Sequence, residues 1–171
     1  MAIVALVLSA LLWEGAFLAR WHSRSEVWDL DGDGSGETLC LERRTFLLSR
    51  GDRELFCTPR SWKVEDYLHG DINGDGEEEL LLLVWKRGSY GASKPFWARE
   101  ENGYSQHIFI YRWARGALRP VWMSSALRPR VKSWSLDDQG RLAILTRGGE
   151  NTLWAWHTFG LERVDSALIP V

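Results

Sequence analysis

Two stretches of the chain carry oxygen-bearing side chains at alternate positions of a glycine-rich turn. The first reads D-L-D-G-D-G-S-G-E from Asp29, and the second D-I-N-G-D-G-E-E-E from Asp71. Positions 1, 3 and 5 are Asp29, Asp31 and Asp33 in one copy and Asp71, Asn73 and Asp75 in the other. Gly34 and Gly76 occupy position 6, and Glu37 and Glu79 occupy position 9. Such a pattern suits a hard divalent cation. Calcium takes roughly 6–8 oxygen ligands at about 2.3–2.6 Å, and glycine permits the bend that turns alternate side chains inward. Ser35 and Glu77, at position 7, would add a backbone carbonyl. All ten residues are candidate calcium ligands; metal-free polar turns are the competing reading, because Asp, Asn and Gly are ordinary turn residues.

What flanks the loops decides their type. An EF-hand requires a bidentate acid at position 12 and a helix on each side. Position 12 is Cys40 in one copy and Leu82 in the other, and the second loop runs straight into Leu80-Leu81-Leu82-Leu83-Val84-Trp85. A short apolar run after a turn reads as a strand buried on both faces. A D-x-[DN]-x-D-G-x-x-E loop leading into such a strand resembles the FG-GAP (VCBS) repeats of integrin-α-like β-propellers. The resemblance implies that each loop joins the first two strands of a blade and binds calcium.

From Glu26 the chain divides into three repeats, at about 26–58, 62–123 and 131–164. The first holds strands at Glu26–Leu30, Glu37–Glu42, Thr45–Ser49 and Glu54–Thr58. The second holds Trp62–Gly70, Glu79–Trp85, Gln106–Trp113 and Leu118–Met123. The third holds Val131–Leu136, Leu142–Thr146, Thr152–His157 and Leu161–Val164. Four strands per repeat is the content of a propeller blade. The expected fold is therefore all-β, three four-stranded antiparallel propeller-like blades after an N-terminal apolar helix. In the third repeat the loop equivalents are Ser135, Asp137 and Gln139, the position-9 acid is gone, and no metal is expected. Closed propellers have typically four to eight blades. Three leave an open arc, to be completed by a second copy, by a terminal segment, or by a different packing.

Composition narrows the function classes. The chain has 171 residues, 45 % hydrophobic and 26 % charged, with net charge −2. No bulk electrostatic argument favours nucleic acid. Eleven tryptophans recur mainly in the expected strands and read as core. Cys40 and Cys57 fall on second and fourth strands with a third between. Their Cα atoms would then be about 9–10 Å apart, beyond disulfide reach, so two buried free thiols are expected.

Residues 1–21 form a signal-like or membrane-anchor segment ahead of the repeat domain, 22–171. Ala2 to Ala19 is apolar except for Ser9, Glu14 and Gly15, and could just span a bilayer as a helix. No Lys or Arg precedes the run and no A-x-A site follows it. Arg20 and Arg24 come after it, which by the positive-inside rule would hold the rest of the chain in the cytoplasm. The loops point the other way, since weak calcium sites suit millimolar external calcium. The loops carry more weight, and an extracytoplasmic, membrane-anchored or secreted location is expected.

Lys86 to Ser105 interrupts the second repeat. Lys86, Arg87, Lys94 and Arg99 mix there with Tyr90, Phe96 and Trp97, a combination suited to stacking on sugars and to anionic polymers. These seven residues are the candidate ligand-binding set, set against aromatic side chains tucked onto the blade with solvated charges. Arg50-Gly51-Asp52 matches an adhesive tripeptide but sits at a hairpin turn, where Gly-Asp is standard. Four scattered histidines form no zinc spacing, and no acid/base dyad or nucleotide fingerprint occurs. The expected protein is a non-catalytic, calcium-stabilised binding or assembly module whose partner is a protein or a cell-envelope polymer such as a glycan. The alternatives are the scaffold of a cell-surface carbohydrate- or lipid-active enzyme, or a subunit that completes a propeller with a second chain.

Overall fold

A computed structural model describes residues 23–88 and 103–164; the N-terminal apolar helix and most of the insertion lie outside them. The described chain is all-β. Its twelve strands are β1 (Arg24–Trp28), β2 (Glu37–Glu42), β3 (Thr45–Arg50), β4 (Arg53–Cys57), β5 (Lys63–Gly70), β6 (Glu79–Arg87), β7 (Tyr104–Ala114), β8 (Ala117–Met123), β9 (Val131–Leu136), β10 (Leu142–Thr146), β11 (Asn151–His157) and β12 (Gly160–Val164). They form three four-stranded antiparallel meanders: sheet 1 (β1–β4), sheet 2 (β5–β8) and sheet 3 (β9–β12). Each expected strand is present, shifted at most two residues at an end. No sheet closes on itself.

Sheet 2 lies in the middle, and β6 shows why its leucines are consecutive. Leu80, Leu82 and Val84 enter a core shared with Leu39, Leu41, Phe46 and Leu48 of sheet 1. Leu81 and Leu83 face the other way, into a core with Val131, Trp134, Leu142 and Ile144 of sheet 3. A strand packed on both faces cannot alternate apolar with polar. The tryptophans follow the same division. Trp28, Trp62 and Trp113 lie against the first core, and Trp122, Trp154 and Trp156 against the second.

A bulge in β5, where register shifts between Val64 and Asp66, aims two adjacent carboxylates at the neighbouring sheets. Asp66 Oδ2 accepts a hydrogen bond from Trp134 Nε1 of sheet 3 (2.8 Å), and its Oδ1 lies 3.8 Å from Arg24 Nη1 of sheet 1. The buried Glu65 accepts from Trp85 Nε1 and Gln106 Nε2, while Gln106 Oε1 accepts from the Val131 amide. Bulges commonly re-aim side chains in this way. Buried carboxylates of this kind are tolerated because donors meet their oxygens.

Sheets 1 and 3 each have one face turned away from sheet 2. On sheet 1 the register aligns Ser25, Cys40, Leu47 and Cys57 in one outward row, and Val27, Thr38, Ser49 and Glu54 in the next. On sheet 3 one row runs Ser135, Ala143, Leu153, Val164. Beside it stand Ser133, Leu145 and Asn151. This corrects the expectation of buried thiols: both cysteines are free, but Cys40 is half-buried and Cys57 exposed. Among the described residues only one face of sheet 1 is covered, and the cysteines are on the other.

Candidate metal centre

The loops between β1 and β2 and between β5 and β6 share one backbone design. Both place glycines in the left-handed region at positions 4 and 6: Gly32 and Gly34 (φ 68° and 85°), and Gly74 and Gly76 (φ 75° and 86°). Three hydrogen bonds recur at equivalent places. The position-1 carboxylate accepts from the position-6 amide, Asp29 from Gly34 (3.0 Å) and Asp71 from Gly76 (2.8 Å). The position-5 carboxylate accepts from the position-7 amide, Asp33 from Ser35 (2.7 Å) and Asp75 from Glu77 (2.9 Å). The position-9 carboxylate reaches back to the position-2 amide, Glu37 to Leu30 (2.8 Å) and Glu79 to Ile72 (3.3 Å). These bonds hold the position-1 and position-9 carboxylates against the turn.

Loop 1 brings Asp29, Asp31 and Glu37 together, with one carboxylate oxygen from each within 4.8 Å of the others. Oxygens around one calcium ion lie at most about twice 2.3–2.6 Å apart, so this donor set fits a single ion. Bound calcium would supply charge neutralisation and hold the three oxygens together. Asp33 is turned instead toward the Ser35 amide and Arg50. In loop 2, Asn73 meets Glu79 while Asp71 holds the turn. Asp71 accepts from the amides of Gly74 and Gly76, and Asn73 Nδ2 donates to Glu79 Oε1 (2.8 Å). Glu77 is exposed and could contribute only through its carbonyl, the role assigned to position 7.

Electrostatics distinguish the members. Glu79 is wholly buried. Burial pushes its carboxyl up to about 7, helped by the nearby Asp75 and Asp71 and opposed by the Ile72 amide and Arg112. Burial also pushes Asp71 up. The amides of Gly76, Gly74, Asp75 and Asn73 outweigh that and hold it below the ordinary carboxylate range.

Two arginines missed by the sequence reading complete the loops. Arg50, last residue of β3, stands one step beyond the Thr38–Ser49 pair and therefore opposite Glu37. Its Nε donates to Glu37 Oε1 (2.6 Å), Nη2 to Asp31 (2.7 Å) and Nη1 to Asp33 (3.2 Å). Arg112 of β7 is the register partner of Glu79. It lies farther off, 3.4 Å from Asp75 Oδ2, 3.4 Å from Glu79 Oε1 and 3.9 Å from Glu77 Oε2, and its buried Nε makes no hydrogen bond. A cation entering loop 1 must share its carboxylates with a closely held guanidinium; loop 2 presents a looser one. Repeat alignment alone could not have found this pair, because strand register puts each arginine beside its acid.

The third loop, between β9 and β10, has its own pairing. Asp137 Oδ1 accepts from the amides of Gln139 and Arg141, and Oδ2 accepts from Arg141 Nε (2.7 Å). Of the candidate ligand-binding set, Lys86 and Arg87 lie at the end of β6, opposite Ser105 and Tyr104. Lys86 Nζ donates to the Gly88 carbonyl (2.7 Å), and Arg87 sits over the Tyr104 ring. Tyr90, Lys94, Phe96, Trp97 and Arg99 lie outside the described residues. The Arg50-Gly51-Asp52 tripeptide is a hairpin turn whose arginine is engaged by loop 1. One pairing not foreseen is Ser105 Oγ with His107 Nε2 (2.8 Å), the Nδ1 of that ring facing the Ser124 carbonyl.

Comparison with family models, with curated proteins and with solved structures gives no match.

Proposed function

We propose that the chain is a calcium-stabilised, non-catalytic binding or assembly module built from three propeller-like blades and displayed outside the cytoplasm. The observation that carries this reading is the repeated loop. Two separate segments adopt the same backbone with the same three side-chain-to-amide bonds, and in one of them three carboxylate oxygens come within a single cation's reach. The FG-GAP resemblance supports it, as do three successive four-stranded meanders packed face to face. Calcium's role is structural: it fixes the turn between the first two strands of a blade and so their register. The partner is a protein or an anionic or glycan envelope polymer, held by the basic and aromatic segment after β6.

The test is a thermal melt of the full chain with millimolar calcium, with magnesium, and with chelator. A calcium-specific rise in Tm is expected. Identical melts in all three would leave the loops as plain turns and overturn the metal reading.

A further inference from the structure

The two outward faces, on sheets 1 and 3, carry fewer charges than the chain as a whole. Residues with charged side chains make up 26 % of the chain. Yet the ten register-defined outward positions on sheet 1 hold only two charges, Glu42 and Glu54. The eleven on sheet 3 hold one, Glu162. Sheet 1 presents Val27, 72 % exposed, and Leu47. Sheet 3 presents a shallow trough of about 420 Å³ lined by Ser133, Ser135, Ala143, Leu145 and Leu153. Solvated faces of antiparallel sheets ordinarily alternate to polar and charged residues, and small side chains beside a groove leave room for a neighbour's branched ones.

We propose that two copies of the chain pair head to tail, the outward face of sheet 3 of each copy on the outward face of sheet 1 of the other. Inside the chain, sheet 2 is covered on both sides by a sister sheet, so the fold already meets a bare sheet face with another four-stranded sheet. Among the described residues no element covers these two faces, and they lie at opposite ends of one stack, which makes the contact heterologous. Such contacts either close into a ring or run on as a filament.

Area favours closure. Strands of about five to six residues, at roughly 3.4 Å per residue and 4.8 Å between strands, give each face about 350 Å². One contact would bury about 700 Å², the size of a lattice contact, whereas a closed pair buries about 1,400 Å², within the range of stable interfaces. Closure yields six sheets, inside the span of closed propellers; that last step rests on the blade reading above.

Light scattering on the full chain should give twice 19.7 kDa. Leu145→Lys and Leu47→Lys should each restore the single-chain mass with circular dichroism unchanged. Cys40 and Cys57 already stand on the sheet 1 face, so Ala143→Cys places a thiol on the face proposed to meet them. A short bis-maleimide should then join two copies, and Cys40→Ser with Cys57→Ser should abolish the product. A single-chain mass at every concentration overturns the pairing. So does cross-linking of the wild-type chain into dimers, which would mean sheet 1 against sheet 1. Growth into filaments would keep the face pairing but sink the ring. The calcium melt is read separately, so either proposal can fail alone.

Discussion

Replacing Glu79 by glutamine should stabilise the protein when calcium is absent and lose that advantage when it is present. Glu79 is fully buried, and its carboxyl is raised from an ordinary 4.5 to about 7. The folded chain therefore binds more protons than the unfolded one between those values. Stability falls as pH rises through that window. At 1.36 kcal/mol per pH unit of displacement, holding the charged form at pH 8 costs on the order of 2 kcal/mol, allowing for water near the loop. Glutamine keeps the side chain's shape and a carbonyl for the Ile72 amide and removes the charge, while its amide nitrogen loses the bond that Glu79 Oε1 accepts from Asn73, which offsets part of the gain.

In chelator at pH 8, Glu79→Gln should melt above wild type by up to about 8 °C, taking roughly 4 °C per kcal/mol for a domain of this size. At pH 5, where the wild-type carboxyl is protonated, the two should nearly coincide. Calcium bound as proposed should reverse the balance, because the ion would neutralise the carboxylate and glutamine is a poorer ligand. The gap at pH 8 should close or change sign in millimolar calcium. Differential scanning fluorimetry at the two pH values, with calcium and with chelator, reads all four conditions. A glutamine variant less stable than wild type in chelator at pH 8 would refute the electrostatic argument. A gap untouched by calcium would refute metal binding at Glu79.

Asp75→Ala should lower Tm in calcium and leave it nearly unchanged in chelator, since the half-exposed Asp75 makes only the Glu77 amide bond and a 3.4 Å approach to Arg112; equal losses in both would exclude a metal role for loop 2. Gly140→Ala should destabilise by about 1–3 kcal/mol in either buffer, read by urea denaturation. Gly140 has φ +71°, and an added Cβ would meet the Asp71 carbonyl oxygen at 2.2 Å, so strain and a forced shift act together. An unchanged midpoint would mean that loops 2 and 3 do not touch in solution.

Most of the fold was legible because its signals are local. Turn residues bracket runs of apolar and β-branched residues throughout, and the consecutive leucines of β6 announce a strand covered on both faces. What was not legible depends on register and stacking order. Nothing in the sequence near Glu79 points to Arg112, which lies 33 residues on and reaches it only because β6 and β7 pair in that register. The cysteines were misread for a related reason: their strands were right, but which sheet ends the stack is a tertiary fact. Arg50 shows the limit of short motifs, since its tripeptide suggested adhesion while the residue is an ion-pair partner of loop 1.

The arginines also constrain what calcium could do here. Each acidic loop already has its backbone held by side-chain-to-amide bonds and its charge partly balanced by a guanidinium from the third strand. These bonds already hold the backbone of each loop, so a bound metal would add to them. At ten times its dissociation constant, one site contributes about 1.4 kcal/mol. The contribution should be smaller in loop 1, where Arg50 has three close carboxylate partners and must yield some of them, than in loop 2, where Arg112 stands at 3.4 Å or beyond. On that reasoning the proposed site in loop 2 should be the tighter of the two, although it has one fewer acid at positions 1, 3 and 5, Asn73 standing where loop 1 has Asp31.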